Sequence, residues 1–232
     1  MRTLRSISAI VFLVALVSCA SSRGFDRGAL QNAVSPDALV TEEEIQRVID
    51  LNPQLPHPFK LGVYLAHPIS RHWGSSWDWR PSDKDAILGV GESLQKTGLV
   101  SQTIFISPAT AQDEKLKSVR LAAARHGVDA VLVVSGVSDV DRYNNPLGVT
   151  YALIVTPLFV PGTVIDGIFV SHAGLWDVRN GFLYASVETD GESSATGPAA
   201  FVDEARVVKD AKERSIESLV ESIRNRIENL GK

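Results

Sequence analysis

Ala130-Val131-Leu132-Val133-Val134-Ser135-Gly136-Val137 is apolar on both of its alternating faces. A strand half-exposed to water would alternate, so this stretch predicts a central strand of a sheet, buried on both faces. The flanking sequence agrees. Upstream, a helix is expected over about Ala111–His126, with Leu116, Val119, Leu121 and Ala123 inward and Gly127 closing it. Before it, Val100–Ile106 reads as a strand. A helix capped by Ser82-Asp83-Lys84-Asp85 runs through Ile87, Val90 and Leu94 to Thr97 and Gly98, and Leu61–Ala66 reads as the first strand.

Downstream the pattern becomes antiparallel. Tyr151–Val160, Gly167–Trp176 and Phe182–Thr189 are expected as successive strands. Asp177-Val178-Arg179-Asn180-Gly181 forms the last turn, with Asn-Gly supplying positive φ angles. Gly191–Pro198 reads as a loop, and a long helix over about Val202–Leu230 closes the chain. Its stripe Ala205, Val208, Ile216, Leu219, Val220, Ile223 and Ile227 faces inward, with Lys and Arg on the other side. The fold class is therefore α/β: a β-α-β-α-β start, then antiparallel strands in one mixed sheet, with a C-terminal helix packed on it.

The N-terminus carries an address. Arg2 and Arg5 precede the apolar run Ile7–Val17, followed by Leu16-Val17-Ser18-Cys19. A charged start, a short apolar core and small residues at the cut describe an export signal, too short to span a bilayer. Cys19 is the only cysteine in the chain, and its thiolate is the nucleophile that accepts a diacylglyceryl group. Residues 1–18 are expected as a lipoprotein signal peptide and 19–40 as a flexible tether. Residues 41–232 form a single periplasmic domain, introduced by the capping box Thr41-Glu42-Glu43-Glu44 and a short helix whose Ile45, Val48 and Ile49 make one apolar face. Ala20 follows the cysteine where an Asp would favour retention, which directs the chain to the outer membrane by resemblance to proteobacterial lipoproteins.

Removing residues 1–18 takes away two positive charges and no acids, so 21 bases and 27 acids leave a net charge of −6. That balance argues against nucleic acid as a partner. No Walker A, Gly-x-Ser-x-Gly or HExxH pattern occurs. Gly89-Val90-Gly91 lies inside a helix and lacks a third glycine, so close helix packing accounts for it. His67, His72 and Asp78 have no standard metal spacing, and Asp139 and Asp141 lack a third ligand. No cofactor, metal or catalytic residue is assigned, and an enzyme is not expected.

One loop stands out. His67–Pro81 holds Trp73, Trp77 and Trp79, three of the four tryptophans, interleaved with Arg71, His72 and Arg80. It follows the first strand, and ligands of α/β sheets collect at the carboxyl ends of strands. Trp73, Trp77, Trp79, Arg71 and Arg80 are thus candidate binding residues; alternatively, the indoles fold down as a lid on the domain's own core. Tyr143–Ile165, which lacks any charge, supplies inner strands of the sheet, or else a hairpin that contacts membrane or a neighbouring subunit.

The start of the chain, with Gly127-Val128-Asp129-Ala130-Val131-Leu132 opening the third strand, resembles the periplasmic domain of curli-secretion and penicillin-binding-protein-activator lipoproteins. The amino-terminal domain of the Tol-system propeller protein shares the pattern. Gly174-Leu175-Trp176-Asp177-Val178-Arg179-Asn180-Gly181-Phe182-Leu183 looks like their hairpin. Signal, length and the whole mature chain are most similar to the rhombotarget lipoprotein family, found beside rhombosortase-type surface-protein processing systems. The resemblance implies an envelope accessory lipoprotein and carries over no catalytic residue; together with the lipobox and the missing catalytic motifs, it makes a non-enzymatic protein that binds a periplasmic or surface partner the leading expectation. The competing functions are a peptidoglycan- or polysaccharide-binding module and an oligomeric pore or secretion component. Labelled palmitate is expected to enter the full-length protein in cells and to be lost, with membrane retention, in Cys19→Ala; unlabelled wild-type protein would refute the lipobox.

Overall fold

A computed structural model describes residues 21–34, 41–71, 75–152 and 155–231. The signal peptide and Cys19 lie outside the described residues. In chain order the elements are α1 (Arg27–Val34), α2 (Glu42–Ile49), β1 (Phe59–Leu65), β2 (Ile69–Ser70), α3 (Pro81–Lys96), β3 (Val100–Ile106) and α4 (Leu116–Arg125). Three long strands and a helix follow: β4 (Ala130–Asn144), β5 (Thr163–Asp177), β6 (Leu183–Gly197) and α5 (Glu204–Glu228). The main sheet order is β3-β1-β4-β5-β6, with β2 pairing to β4. β1 is parallel to both β3 and β4, whereas β4–β5 and β5–β6 are antiparallel. This is the expected mixed α/β sheet with a long C-terminal helix on it.

Helices cover both faces. On one, α3 and α5 bring Ile87, Val90, Leu94, Leu219 and Ile223 against Leu132, Val134, Ala173 and Leu175. On the other, α4 seals Tyr64 and Val131 with Val119, Ala122 and Ala123. Alternation along β4 thus feeds two separate cores, which is why Ala130–Val137 has no polar side. Close approach is built in by glycine. A Cβ at Gly191 would collide with Ala211 O and stand 2.6 Å from the Ser215 amide, so α5 rests directly on the β6 backbone. Gly91 does the same for α3 against Thr103, whereas Gly89 faces open space.

Several expectations are corrected. Residues 27–34, expected within a flexible tether, form α1, whose Leu30 and Val34 are buried against Val137, Ile168 and Val170. Burying two such side chains contributes about 1.5–3 kcal/mol each, which a polar tether could not gain. Tyr151–Val160 is not a strand: 3₁₀ turns occupy Pro146–Ala152 and Thr156–Leu158, because prolines without amide donors cannot continue a ladder. Gly191–Pro198 is no loop, since β6 runs on to Gly197 paired with Thr163. α4 begins at Leu116 rather than near Ala111, and Leu121 is exposed. The apolar face of α2 is open to solvent, and Glu44 pairs with Arg47 instead of reaching back, although Thr41 caps the Glu44 amide. Lys212 of α5 is buried rather than solvated.

At the β5–β6 turn only Gly181 has positive φ, +81°. Asp177 does the remaining work, accepting from the Arg179 and Asn180 amides at 2.7 and 3.1 Å and from the Tyr184 hydroxyl at 2.6 Å. Burial, aided by the hydrogen bond to Asp177, pushes the Tyr184 phenol up from 10.0 to about 12. The folded pKa is raised, so this contribution is whole below pH 10 and is lost as pH climbs to about 12. Melting temperature should therefore fall more steeply across that window in wild type than in Tyr184→Phe; parallel profiles would refute the assignment.

Candidate functional site

β1 sits between β3 and β4, so the chain steps from β1 to β3 on one side and then crosses back to β4 on the other. Crevices at the carboxyl ends of such strands are the usual ligand sites of α/β sheets. Here the crevice is filled from above by the segment joining β1 to α3. Trp77 packs edge-on against Phe169, with ring centroids 4.6 Å apart, and against Trp79 at 4.9 Å. Gly136 makes room: a Cβ there would lie 2.5 Å from Phe169 and 3.2 Å from Trp77. Both indole N–H groups are used internally, Trp77 Nε1 donating to Ile69 O at 2.8 Å and Trp79 Nε1 to Ala66 O at 2.7 Å.

Beneath the indoles lies a buried ion pair. Lys212 Nζ of α5 donates to Asp83 Oδ2 and to Asp78 O, both at 2.6 Å, with the Lys212 and Asp83 side chains 2% and 4% exposed. Asp83 also accepts the Arg80 amide at 2.8 Å and so caps α3 from its third position. The Lys212 ammonium lies 5.6 Å from the Trp77 ring centroid, adding a cation–π contact. Nothing in the spacing of Asp83 and Lys212, 129 residues apart, announces this pair in the sequence.

The candidate residues therefore separate. Trp77 is a packed lid. Arg71 donates to Ala29 O at 3.0 Å and holds down the N-terminal segment. Trp73 and His72 lie outside the described residues. Trp79 and Arg80 do reach a surface groove of about 430 Å³, shared with Leu65, Pro81, Lys84 and Phe105. Lys84 Nζ stands 3.7 Å over the Phe105 ring, so the groove has an apolar floor, and the cations Arg80 and Lys84 line it together with the carboxylate of Asp85.

The remaining titratable candidates do not converge. His67 pairs with Glu114, and the Asp78 carboxylate accepts the Trp79 amide at 2.7 Å. Asp139 and Asp141 do share a face, and they meet the N-terminal segment. Arg23 donates to Asp139 Oδ1 at 2.7 Å, and Ser22 Oγ and the Arg23 amide reach Asp141 Oδ2 at 2.6 and 2.8 Å. Among the described residues no group of three or more metal-ligating side chains forms. His172 is half-buried on Ser186, its pKa lowered by burial.

No protein-family model matches the chain, and no curated protein matches it either. Solved structures are similar at the level of architecture. The LpoB C-terminal domain from Salmonella enterica aligns over 72% of this chain and 98% of its own, at 11% identity and TM-score 0.34. Lipoprotein GNA1162 from Neisseria meningitidis aligns over 74% and 99%, at 14% identity and TM-score 0.36. A putative neuraminyllactose-binding hemagglutinin homolog from Helicobacter pylori aligns over 76% and 87%, at 8% and 0.39. Likenesses this loose assign neither an activity nor a partner.

The lid and the ion pair have a joint signature. Trp77→Ala should cost about 3–5 kcal/mol by opening a cavity, and Lys212→Ala a similar amount by stranding Asp83. The Lys212→Met, Asp83→Leu double variant should be more stable than Lys212→Ala. Calorimetry checks all three, and unchanged melting of Trp77→Ala would reject the lid.

Proposed function

We propose that this protein is a bacterial outer-membrane-anchored lipoprotein that acts by holding a protein partner, without catalysing a reaction, in surface-protein export or processing of the rhombosortase-associated kind. The lipobox at Leu16–Cys19 supports the location. The carrying observation is the filled crevice: the place where such a sheet would take a small ligand is occupied by Trp77, Trp79 and a buried Lys212–Asp83 pair. What stays open beside it is a shallow groove with an aromatic and aliphatic floor, lined by Arg80 and Lys84 against the single carboxylate of Asp85, an excess of positive charge suited to an extended protein segment bearing a carboxylate. Stacking a sugar would need a free indole face, and the edge-on packing of Trp77 disfavours that use.

A photo-crosslinking residue at Arg80, in the full-length lipoprotein in cells, should give a discrete protein adduct that the same residue at Lys96 does not. Arg80→Glu with Lys84→Glu should weaken the association at least tenfold without altering melting. Co-sedimentation with peptidoglycan in the absence of any adduct would replace this reading with the glycan one.

A further inference from the structure

The N-terminal segment runs antiparallel along β4. Val34 O accepts from Ser135 Oγ at 3.3 Å, while twelve residues earlier Ser22 bonds to Asp141. Moving back from Val34 to Ser22 therefore advances along β4 toward its end at Asn144. The attachment is firm. Asp141 receives the Ser22 hydroxyl and the Arg23 and Gly24 amides at 2.6, 2.8 and 3.0 Å, and Arg27 pairs with Asp190 at 2.6 Å and with Glu192. Cys19 is three residues before Ser22, hence no more than about 11 Å away. The three residues from Arg142 to Asn144 span about 10 Å. Ser22, from which the chain leads back to Cys19, therefore sits at the end of β4 that runs into the β4–β5 connection.

That connection is apolar and exposed. No charge occurs from Tyr143 to Ile165, yet Phe159 is 77% exposed, Val155 62% and Leu147 50%. Phe201, 71% exposed, joins the same end, where the Ala200 amide donates to Pro157 O at 3.4 Å. The backbone is otherwise committed: Asn145 N donates to Gly162 O at 2.9 Å, and Tyr151 Oη bonds Val160 O and the Gly162 amide, each at 2.9 Å. Apolar side chains thus project from a closed, hydrogen-bonded tip.

We infer that this tip is a bilayer seat: with Cys19 acylated, Leu147, Val155, Leu158, Phe159 and Phe201 enter the boundary between lipid head groups and acyl chains. The inference rests on the lipid-anchor reading. The occupant is lipid rather than a second copy, because the acyl chains keep this end at the membrane at high effective concentration. Acylation also uses the chain's only thiol, so a second cysteine can carry a probe.

The test labels Phe159→Cys, or Lys96→Cys at the last residue of α3, with an environment-sensitive fluorophore. Each intact lipoprotein is reconstituted in vesicles of phosphatidylethanolamine and phosphatidylglycerol. Position 159 should shift to the blue and be quenched several-fold more than position 96 by brominated acyl chains. A water-like spectrum at 159 in protein whose mass shows acylation overturns the seat and leaves the anchor standing. A blue shift without lipid quenching assigns the tip to a protein contact and also overturns it. A mature mass lacking the acyl group shows that the anchor has failed, and the seat falls with it.

Discussion

Lys212 joins three parts of the molecule that would otherwise have no fixed relation. Its ammonium binds Asp83 on α3 and the Asp78 carbonyl in the segment between β1 and α3. Removing two charges from water is costly, and only close geometry with further hydrogen bonds offsets it. Here Asp83 takes the Arg80 amide as well, so each partner of the pair makes a second hydrogen bond in this arrangement. α5 cannot slide along β6 without breaking the pair, and Gly191 already holds the two backbones in contact. The Asp78 carbonyl in turn fixes where Trp77 and Trp79 descend. A salt bridge that contributes little net stability can still select among packings that an all-apolar interface would tolerate equally.

The parts of the fold governed by local periodicity were legible. The two-sided run Ala130–Val137 implied a central strand buried on both faces, and α3, α4 and α5 cover it. Legibility failed where tertiary partners decide. Leu30 and Val34 give too short a pattern to signal a helix; their reason to be helical is the apolar patch of Val137, Ile168 and Val170. The end of β6 has a polar sequence, Gly191–Gly197, and becomes a strand because β5 offers it a ladder. Of the candidate residues, aromatic composition singled out a loop but not the direction of its side chains: Trp77 and Trp79 turn inward once Gly136 and the Ile69 and Ala66 carbonyls are available. Lys212 carries no signal of burial in the sequence because its partner Asp83 is 129 residues away.

Asp139 and Asp141 show how the same carboxylates change meaning with context. On a bare strand end they would repel one another and pull in water. With Arg23 and the Ser22–Gly24 segment in place, they are 3% exposed each and become the dock for the N-terminus. The chain is thereby secured to β4 from Ser22 through α1.

This attachment gives the long ribbon of β4, β5 and β6 a mechanical role. β1 ends opposite Val134, whereas β4 continues to Asn144. Ten further residues at about 3.3 Å each put the tip about 30 Å beyond the carboxyl end of β1, and the groove of Trp79, Arg80 and Lys84 opens at that inner level. α5 stiffens the extension on one face, with Val207 against Gly167, and α1 braces the other. On the proposed reading, a partner segment in the groove would be held at a height set by strand length rather than by the sampling of a loose linker. Lengthening the ribbon by two residues in β4 and two in β5 would preserve the alternation of faces and raise the groove by about 7 Å; a single-residue insertion would turn Asp139 and Asp141 into the core.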